Sequence, residues 1–202
     1  MSILIRGAVF AAILGLGALP AFAQENTFRI RGTLVSVEGP VITVAAAGQN
    51  RRVTLTDGVV VVSVVKAGIG QVVPGTYVGS AAVIQPDGTL RALEIHIFPE
   101  AMRGTGAGHR PYDLGPQSTM TNGAVDSALV ESIGGRILTV RYKDGEKQIF
   151  VPQDTPVVIY EPADIKALVP GAHVYVIALR GTDGTLSTAR INVGKNGLVP
   201  PM

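Results

Sequence analysis

The side chains that could bind a metal ion lie close together near the middle of the chain. Glu94 and His96 occupy alternate positions of an apolar, strand-like run, and Met102 and His109 follow in a stretch rich in Gly and Pro. Carboxylate, imidazole and thioether groups can bind zinc or copper. The sequence has no His-x-x-x-His or His-Glu-x-x-His spacing that would support these four residues as metal ligands. We therefore predict no cofactor, with a divalent metal or copper as the alternative.

The direction in which Glu94 and His96 point follows from the alternation of side chains along a strand. Successive side chains of a strand point to opposite faces of the sheet. Leu93, Ile95 and Ile97 are apolar and take one face. Glu94 and His96 are therefore predicted to face away from the core of their own domain, toward solvent, the following stretch or a second domain.

The Gly- and Pro-rich stretch, residues 99–124, carries a second set of candidates. Long segments without regular structure are often functional, and this one is chemically richer than a Gly/Ser spacer. We predict that its polar residues line a ligand pocket between the flanking domains. The alternative is a linker whose polar groups only hold its own backbone. The candidate ligand-binding residues are Arg103, His109, Arg110, Tyr112 and Asp113.

Several catalytic classes lack their motifs. Gly104-x-Gly106-x-Gly108 is not a phosphate-binding loop, because no Lys-Ser/Thr and no helical pattern follow it. Ser118 lies near His109, but the Gly-x-Ser-x-Gly motif is absent. The chain has no Cys, which excludes thiol catalysis, thiolate metal sites and disulfides. We therefore predict a protein that is not an enzyme; a hydrolase that uses the central stretch is the alternative.

Composition and charge exclude further classes. The chain has 202 residues, of which 47% are hydrophobic and 16% charged, so it is not a disordered chain. Its net charge of +2 gives no strong electrostatic case for nucleic acid as a partner. Arginines near the start of the first domain could form a basic patch, although a solvated face is the simpler interpretation. They are Arg29, Arg31, Arg51 and Arg52.

The first 23 residues have the pattern of a secretory signal peptide. Arg6 precedes an apolar run, Gly7–Leu19, and Ala21-Phe22-Ala23 fits the rule for a cleavage site. The run is shorter than the roughly 20 residues that a transmembrane helix needs. We predict cleavage after Ala23 and a periplasmic protein with no transmembrane span after cleavage; an uncut anchor is the alternative.

The rest of the chain contains an internal repeat. Two motifs recur 96 residues later, and a third match, Leu34-Val35 with Leu129-Val130, has an offset of 95. Several matches in the same order indicate a duplication. The predicted domains are residues 24–98 and 125–202, joined by residues 99–124. The recurring motifs are Val73-Pro74-Gly75 with Val169-Pro170-Gly171, and Asp87-Gly88-Thr89-Leu90 with Asp183-Gly184-Thr185-Leu186.

Each copy is predicted to be a small β-barrel. Short runs of apolar, β-branched residues are bounded by Gly, Pro, Asp and Asn, which is typical of strands and tight turns. Pro162–Leu168 suits a short helical turn before the last hairpin. The predicted fold is all-β, with two tandem OB-like barrels, each having one short helical turn.

The first copy resembles the DUF5666 family of small exported β domains. The motifs that carry the resemblance are Ile30-x-Gly32-Thr33-Leu34-Val35-Ser36-Val37, Ile42-Thr43-Val44, Val73-Pro74-Gly75-x-Tyr77-Val78 and Asp87-Gly88-Thr89-Leu90-x-Ala92-x-x-Ile95. The resemblance implies a β fold and no catalytic residues. The layout is also similar to exported proteobacterial proteins called metal ABC transporter permeases, but the hydropathy contradicts a permease, because it shows no set of spans.

These observations predict a periplasmic, non-catalytic binding or interaction module. Its partner would be a small ligand or an unknown envelope protein, bound at the interface of the two domains under Met102–Met120. The alternative is a periplasmic metal-binding protein that uses His96 and His109 near the central stretch.

Overall fold

The computed structural model describes residues 27–202, which form thirteen strands and four 3₁₀ turns. The all-β prediction is confirmed, and the predicted signal peptide lies outside the described residues. In residues 27–202 no helix is long and apolar enough to cross a membrane. The strands are β1 (Thr27–Glu38), β2 (Val41–Ala46), β3 (Gln49–Ala67), β4 (Tyr77–Ile84), β5 (Leu90–Ile97), β6 (Gly108–Pro111), β7 (Ser118–Val125), β8 (Val130–Ser132), β9 (Gly135–Tyr142), β10 (Gly145–Pro152), β11 (Val157–Ala163), β12 (His173–Arg180) and β13 (Leu186–Gly194).

Five strands close into a barrel that we call barrel A. Their order is β1–β2–β3–β13–β12, and β12 pairs with β1 again. Alternate apolar side chains of these strands fill the interior, as expected for a small barrel. The core residues include Ile30, Leu34, Ile42, Val44, Val53, Val174, Val176 and Ile191.

A second closed ring of five strands forms barrel B. Its order is β4–β5–β10–β9–β7, and β7 pairs with β4 again. The ring closes where Ile149 and Phe150 of β10 pair in parallel with Leu90 and Arg91 of β5. The core residues include Val78, Leu90, Ile95, Ile97, Leu138, Val140, Ile149 and Val151.

The two halves of the chain exchange their last hairpins. We predicted that residues 24–98 and 125–202 would each close a barrel, but the hairpin β4–β5 of the first half completes barrel B. The hairpin β12–β13 of the second half completes barrel A. The long strand β3 explains the exchange, because its second part, Val61–Ala67, pairs with β11 and carries the chain across to barrel B.

The pairing register follows the 96-residue offset of the repeat. Thr54 pairs with Ser187 in barrel A, and their counterparts Phe150 and Arg91 pair in barrel B. Along the antiparallel pair β3–β11, Val64 lies opposite Tyr160, the residue 96 positions after it. An approximate twofold axis therefore passes through this pair and relates the two barrels.

The first strand of the second copy is β7, which lies in the predicted linker. Thr33 pairs with His173 and Ala124 pairs with Tyr77, so Thr33 corresponds to Ala124 with an offset of 91. The predicted match of Leu34-Val35 with Leu129-Val130 is therefore wrong. The polar sequence of β7 conceals a strand, because its residues from Ser118 to Asn122 are buried between other elements rather than alternating with solvent.

A 3₁₀ turn precedes the last hairpin in each half. The turns span Ile69–Gln71 and Ile165–Ala167, and they replace the longer helical turn predicted from Pro162. The carboxylate of Asp164 accepts a hydrogen bond from the Lys166 N–H at 2.8 Å and caps the second turn.

The barrels contact each other through a third cluster of buried side chains, which we call the inter-barrel layer. It receives side chains from the outer faces of both barrels, and Met102 and Leu198 pack against it. The layer is where the outward-facing residues of β5 become buried. Its apolar and aromatic members are Val62, Val64, Tyr77, Phe98, Val158, Tyr160, Tyr175 and Met202.

Candidate functional site

Glu94 and His96 lie in the inter-barrel layer and contact each other. Glu94 is 0% exposed and His96 is 4% exposed. Ile95 and Ile97 lie in the core of barrel B, so the pair faces away from that core, as the strand alternation predicts. Leu93, predicted to share the core face, is 39% exposed instead, because the pairing of β5 with β4 shifts register beside it. Nδ1 of His96 lies 3.0 Å and 3.1 Å from the two carboxylate oxygens of Glu94. The Ala81 N–H donates to Oε1 of the same carboxylate at 2.9 Å.

The imidazole of His96 is enclosed on its remaining sides. Its ring stacks on Tyr160, with centroids 5.1 Å apart, and meets Phe98 edge-on at 4.9 Å. A methyl group at Gly79 would overlap both His96 Nε2 and Asn122 Oδ1. Gly79 is therefore required for the close approach of β4 to this ring. A carboxylate–imidazole pair in such surroundings has the contacts of a structural element and lacks the open space that a substrate needs.

Arg190 brings a positive charge into the same layer from barrel A. It occupies the position 96 residues after Glu94, and its guanidinium lies 5.6 Å from the Tyr160 ring centroid. Its Nη2 is 3.6 Å from Sδ of Met102. Burial lowers the pKa of Arg190 and raises the pKa of the Tyr160 hydroxyl. Three buried polar atoms in this layer have no hydrogen-bond partner within residues 27–202: Asn122 Oδ1, Arg190 Nε and Asn192 Oδ1.

Tyr112 and Asp113 fasten the central stretch to barrel A. The carboxylate of Asp113 accepts two hydrogen bonds from Arg31, at 2.7 Å and 3.0 Å. The hydroxyls of Tyr112 and Tyr175 are 2.9 Å apart, and the guanidinium of Arg29 lies 5.2 Å from the centroid of the Tyr112 ring. These two candidate residues are thus bound to the protein itself.

The ion pair of Asp113 predicts a dependence of stability on pH. Burial alone would raise the pKa of Asp113, but the hydrogen bonds and charge of Arg31 outweigh it and lower that pKa. The pair therefore stabilises the protein above the ordinary carboxyl pKa of about 4 and is lost as the pH falls through the folded-state value. Asp113→Asn should cost about 1 kcal/mol or less at neutral pH, because the carboxylate is partly exposed.

Thermal unfolding against pH measures this effect. The melting temperatures of the wild type and Asp113→Asn should differ at pH 7 and converge in acid. Asp57→Asn, an exposed substitution within β3, is the matched control and should leave the curve close to the wild type. If the difference in melting temperature between the wild type and Asp113→Asn stays constant across the whole acid range, the ion pair with Arg31 does not cause it.

The other three candidates of the central stretch do not converge on a common point. Arg103 donates to the carboxylate of Glu100 at 2.6 Å and 2.8 Å and to the Gly75 carbonyl at 2.9 Å. Arg110 donates to the Gly106 carbonyl at 2.6 Å. Nδ1 of His109 lies 2.8 Å from the hydroxyl of Thr121.

His109 and His96 lie on opposite faces of the sheet. His109 pairs with Thr121, Thr121 with Ser80, and Ser80 with Ile95, so His109 shares the face of a barrel-core residue. Burial, together with the charges of Lys147 and Arg110, lowers the pKa of His109. The two imidazoles thus do not meet.

The four predicted metal ligands are divided among different surroundings. Glu94 and His96 contact each other, Met102 contacts Arg190, and His109 lies on the other face. Residues 27–202 contain no group of three or more His, Cys, Asp or Glu side chains that could hold a metal ion.

Two concave surfaces occupy corresponding places on the two barrels. Surface A, with a volume of about 600 Å³, lies where the second and third strands of barrel A meet the turn between β12 and β13. Surface B, of about 520 Å³, lies at the corresponding place on barrel B. Surface A is lined by Val41, Gln49, Asn50, Arg51, Arg52, Thr54, Arg180, Asp183, Gly184, Thr185 and Leu186. Surface B is lined by Ile84, Gly88, Thr89, Leu90, His109, Ile137, Lys147, Gln148 and Phe150.

The two surfaces differ in chemistry at positions 96 residues apart. Sequence reasoning singled out Arg51 and Arg52 only as a solvated face and did not find either surface. The repeated Asp-Gly-Thr-Leu turns were the available signal, since both surfaces include such a turn. From surface A to surface B the replacements are Arg51 by Lys147, Arg52 by Gln148, Thr54 by Phe150 and Arg180 by Ile84.

Comparison with family models, with curated proteins and with solved structures found no match for this chain. The resemblance to the DUF5666 family stays a prediction. A proposal about function therefore depends on the side chains of the two surfaces.

Proposed function

We propose that this protein is an exported, non-catalytic binding module whose ligand or partner segment sits on surface A or surface B. The observation that carries the proposal is the recurrence of one concave, exposed surface at the same place on both barrels. Export is supported by the signal-peptide pattern of residues 1–23.

The strand order gives the proposal a physical basis. The strands of barrel B are numbered by their counterparts in barrel A, so that β7, β9, β10, β4 and β5 are strands 1 to 5. Both rings then follow the order 1–2–3–5–4, which we interpret as OB-like. OB-like barrels bind extended polymers on strands 2 and 3 and on the loops beside them. Surface A combines β2, β3 and the turn between its fourth and fifth strands. The analogy concerns the location only, because a fold does not fix a function.

The inter-barrel interface is a less suitable binding site than we predicted. The space under Met102–Met120 is filled by the aromatic rings of Tyr77, Phe98 and Tyr160. Asp113 and Tyr112 are bound to barrel A. The outer surfaces, A and B, keep their polar groups available to a ligand and are therefore the better candidates for the site.

Chemical-shift mapping by NMR tests this proposal. The purified, isotope-labelled protein is titrated with a neutral oligosaccharide, a uronic-acid oligosaccharide, an extended peptide and anionic lipid vesicles. We expect saturable shifts in the turns 87–90 or 183–186 and in the strands beside them. Arg52→Gln for surface A and Phe150→Ala for surface B should weaken the binding that maps to their own surface only. Shifts confined to Tyr112 and Asp113, or none at either surface, would contradict the proposal.

A further inference from the structure

We infer that surface A binds the carboxylate groups of an acidic polysaccharide. The inference rests on the proposed function, because it names the ligand of one of the two proposed binding surfaces.

The charge of surface A is the first argument. Three arginines are among its lining residues, Arg51, Arg52 and Arg180. Two carboxylates are close: Asp183 in the lining, and Glu38, 4.0 Å from Arg52. The carboxylate of Asp183 accepts hydrogen bonds from the backbone and hydroxyl of Thr185 at 3.0 Å and 2.7 Å, which hold it in place and leave its negative charge. Three arginines against two carboxylates give the surface a net charge of +1, which favours an anionic ligand.

The geometry of the arginines is the second argument. A guanidinium presents a planar fork of N–H donors that matches a carboxylate in a bidentate manner. The guanidinium of Arg180 lies 4.0 Å from the centroid of the Phe28 ring, which holds it in place before a ligand arrives. The side chain of Arg52 is 66% exposed, so a carboxylate can reach it from solvent in competition with Glu38, 4.0 Å away.

The neutral side chains of surface A favour a sugar over a nucleic acid. Gln49, Asn50 and Thr54 offer amide and hydroxyl groups, which exchange hydrogen bonds with sugar hydroxyls. Single-stranded nucleic acid needs aromatic side chains on which its bases stack. The lining of surface A, all of it within the described part of the chain, contains no aromatic side chain.

Isothermal titration calorimetry with a uronic-acid oligosaccharide tests the inference. The purified protein should bind the acid form saturably, and binding should weaken as salt is added. The methyl ester of the same oligosaccharide, which has no charge, should bind at least tenfold more weakly. Arg51→Gln and Arg52→Gln should each raise Kd about tenfold, since each removes a hydrogen bond to a charged group.

Lys147→Gln is the matched control, because it changes the corresponding position on surface B. It should leave Kd unchanged, and melting curves should show that all three variants are folded. Equal binding of the methyl ester, or an equal loss in Lys147→Gln, would overturn the inference. Tighter binding of polyphosphate or of a single-stranded oligonucleotide would overturn the choice of a carboxylate ligand. Binding that maps to surface B alone would overturn this inference but leave the proposed function standing, whereas no ligand at either surface would overturn both.

Discussion

Replacing Glu94 with alanine should lower the free energy of unfolding by about 2–5 kcal/mol, the range expected when a large, fully buried side chain is truncated. Glu94 is fully buried and accepts hydrogen bonds from the Ala81 N–H and from His96 Nδ1. Alanine would leave both donors buried without an acceptor and would leave a cavity between the barrels. Urea denaturation at pH 7, followed by circular dichroism, measures the change.

Two further variants separate the buried pair from a general effect of charge. Glu161→Ala removes an exposed carboxylate that lies 3.4 Å from Lys195, and it should change stability by about 1 kcal/mol or less. Glu94→Gln should cost less than Glu94→Ala, because its amide oxygen can still accept from the Ala81 N–H. If Glu94→Ala and Glu161→Ala cost the same, the Glu94–His96 pair does not hold the inter-barrel layer together.

The strands and turns of this protein could be predicted from its sequence because they depend on local chemistry. The apolar, β-branched runs and the Asp-Gly turns predict most of the observed hairpins. The alternation of side chains also placed Glu94 and His96 on the correct face of β5. The strand β7 was missed, because burial on both faces removed the alternation that marks a half-exposed strand.

The partners of the hairpins could not be predicted from local patterns. The hairpins β4–β5 and β12–β13 have similar sequences, so either could complete either barrel. Exchange of equivalent elements costs little when they are interchangeable. The outcome depends on the length of β3, which continues past Gly58 as one strand and crosses to barrel B.

The position of the candidate site was predicted wrongly because it, too, depends on how the two halves of the chain pair. Polar residues in a Gly- and Pro-rich stretch predict a pocket, but Tyr112 and Asp113 bind arginines and a tyrosine of barrel A. Surface A joins Gln49–Thr54 of the first half to Arg180–Leu186 of the second. Neither half of the sequence alone predicts surface A, because only the exchange of hairpins brings these two segments together.

The second large effect that we expect is the formation of a disulfide between two introduced cysteines, one in each half of the chain, at the edge of surface A. Thr54 of β3 pairs with Ser187 of β13, and parallel neighbours lie within the Cα separation that a disulfide allows. The chain has no Cys of its own, so a disulfide can form only between the two introduced cysteines and shows that those two positions are close together. If each half closed its own barrel, Thr54 would pair instead with Arg91, the residue 96 positions before Ser187.

The most direct test of this account is therefore cysteine cross-linking of the purified protein, read by mass spectrometry of its peptides. The central claim is that both halves of the chain build surface A and surface B. Oxidation should join nearly all of the double variant Thr54→Cys/Ser187→Cys and essentially none of Thr54→Cys/Arg91→Cys. The counterpart pair in barrel B, Arg91→Cys/Phe150→Cys, should also cross-link. A disulfide between positions 54 and 91, with none between 54 and 187, would contradict the exchange of hairpins and the surfaces that depend on it.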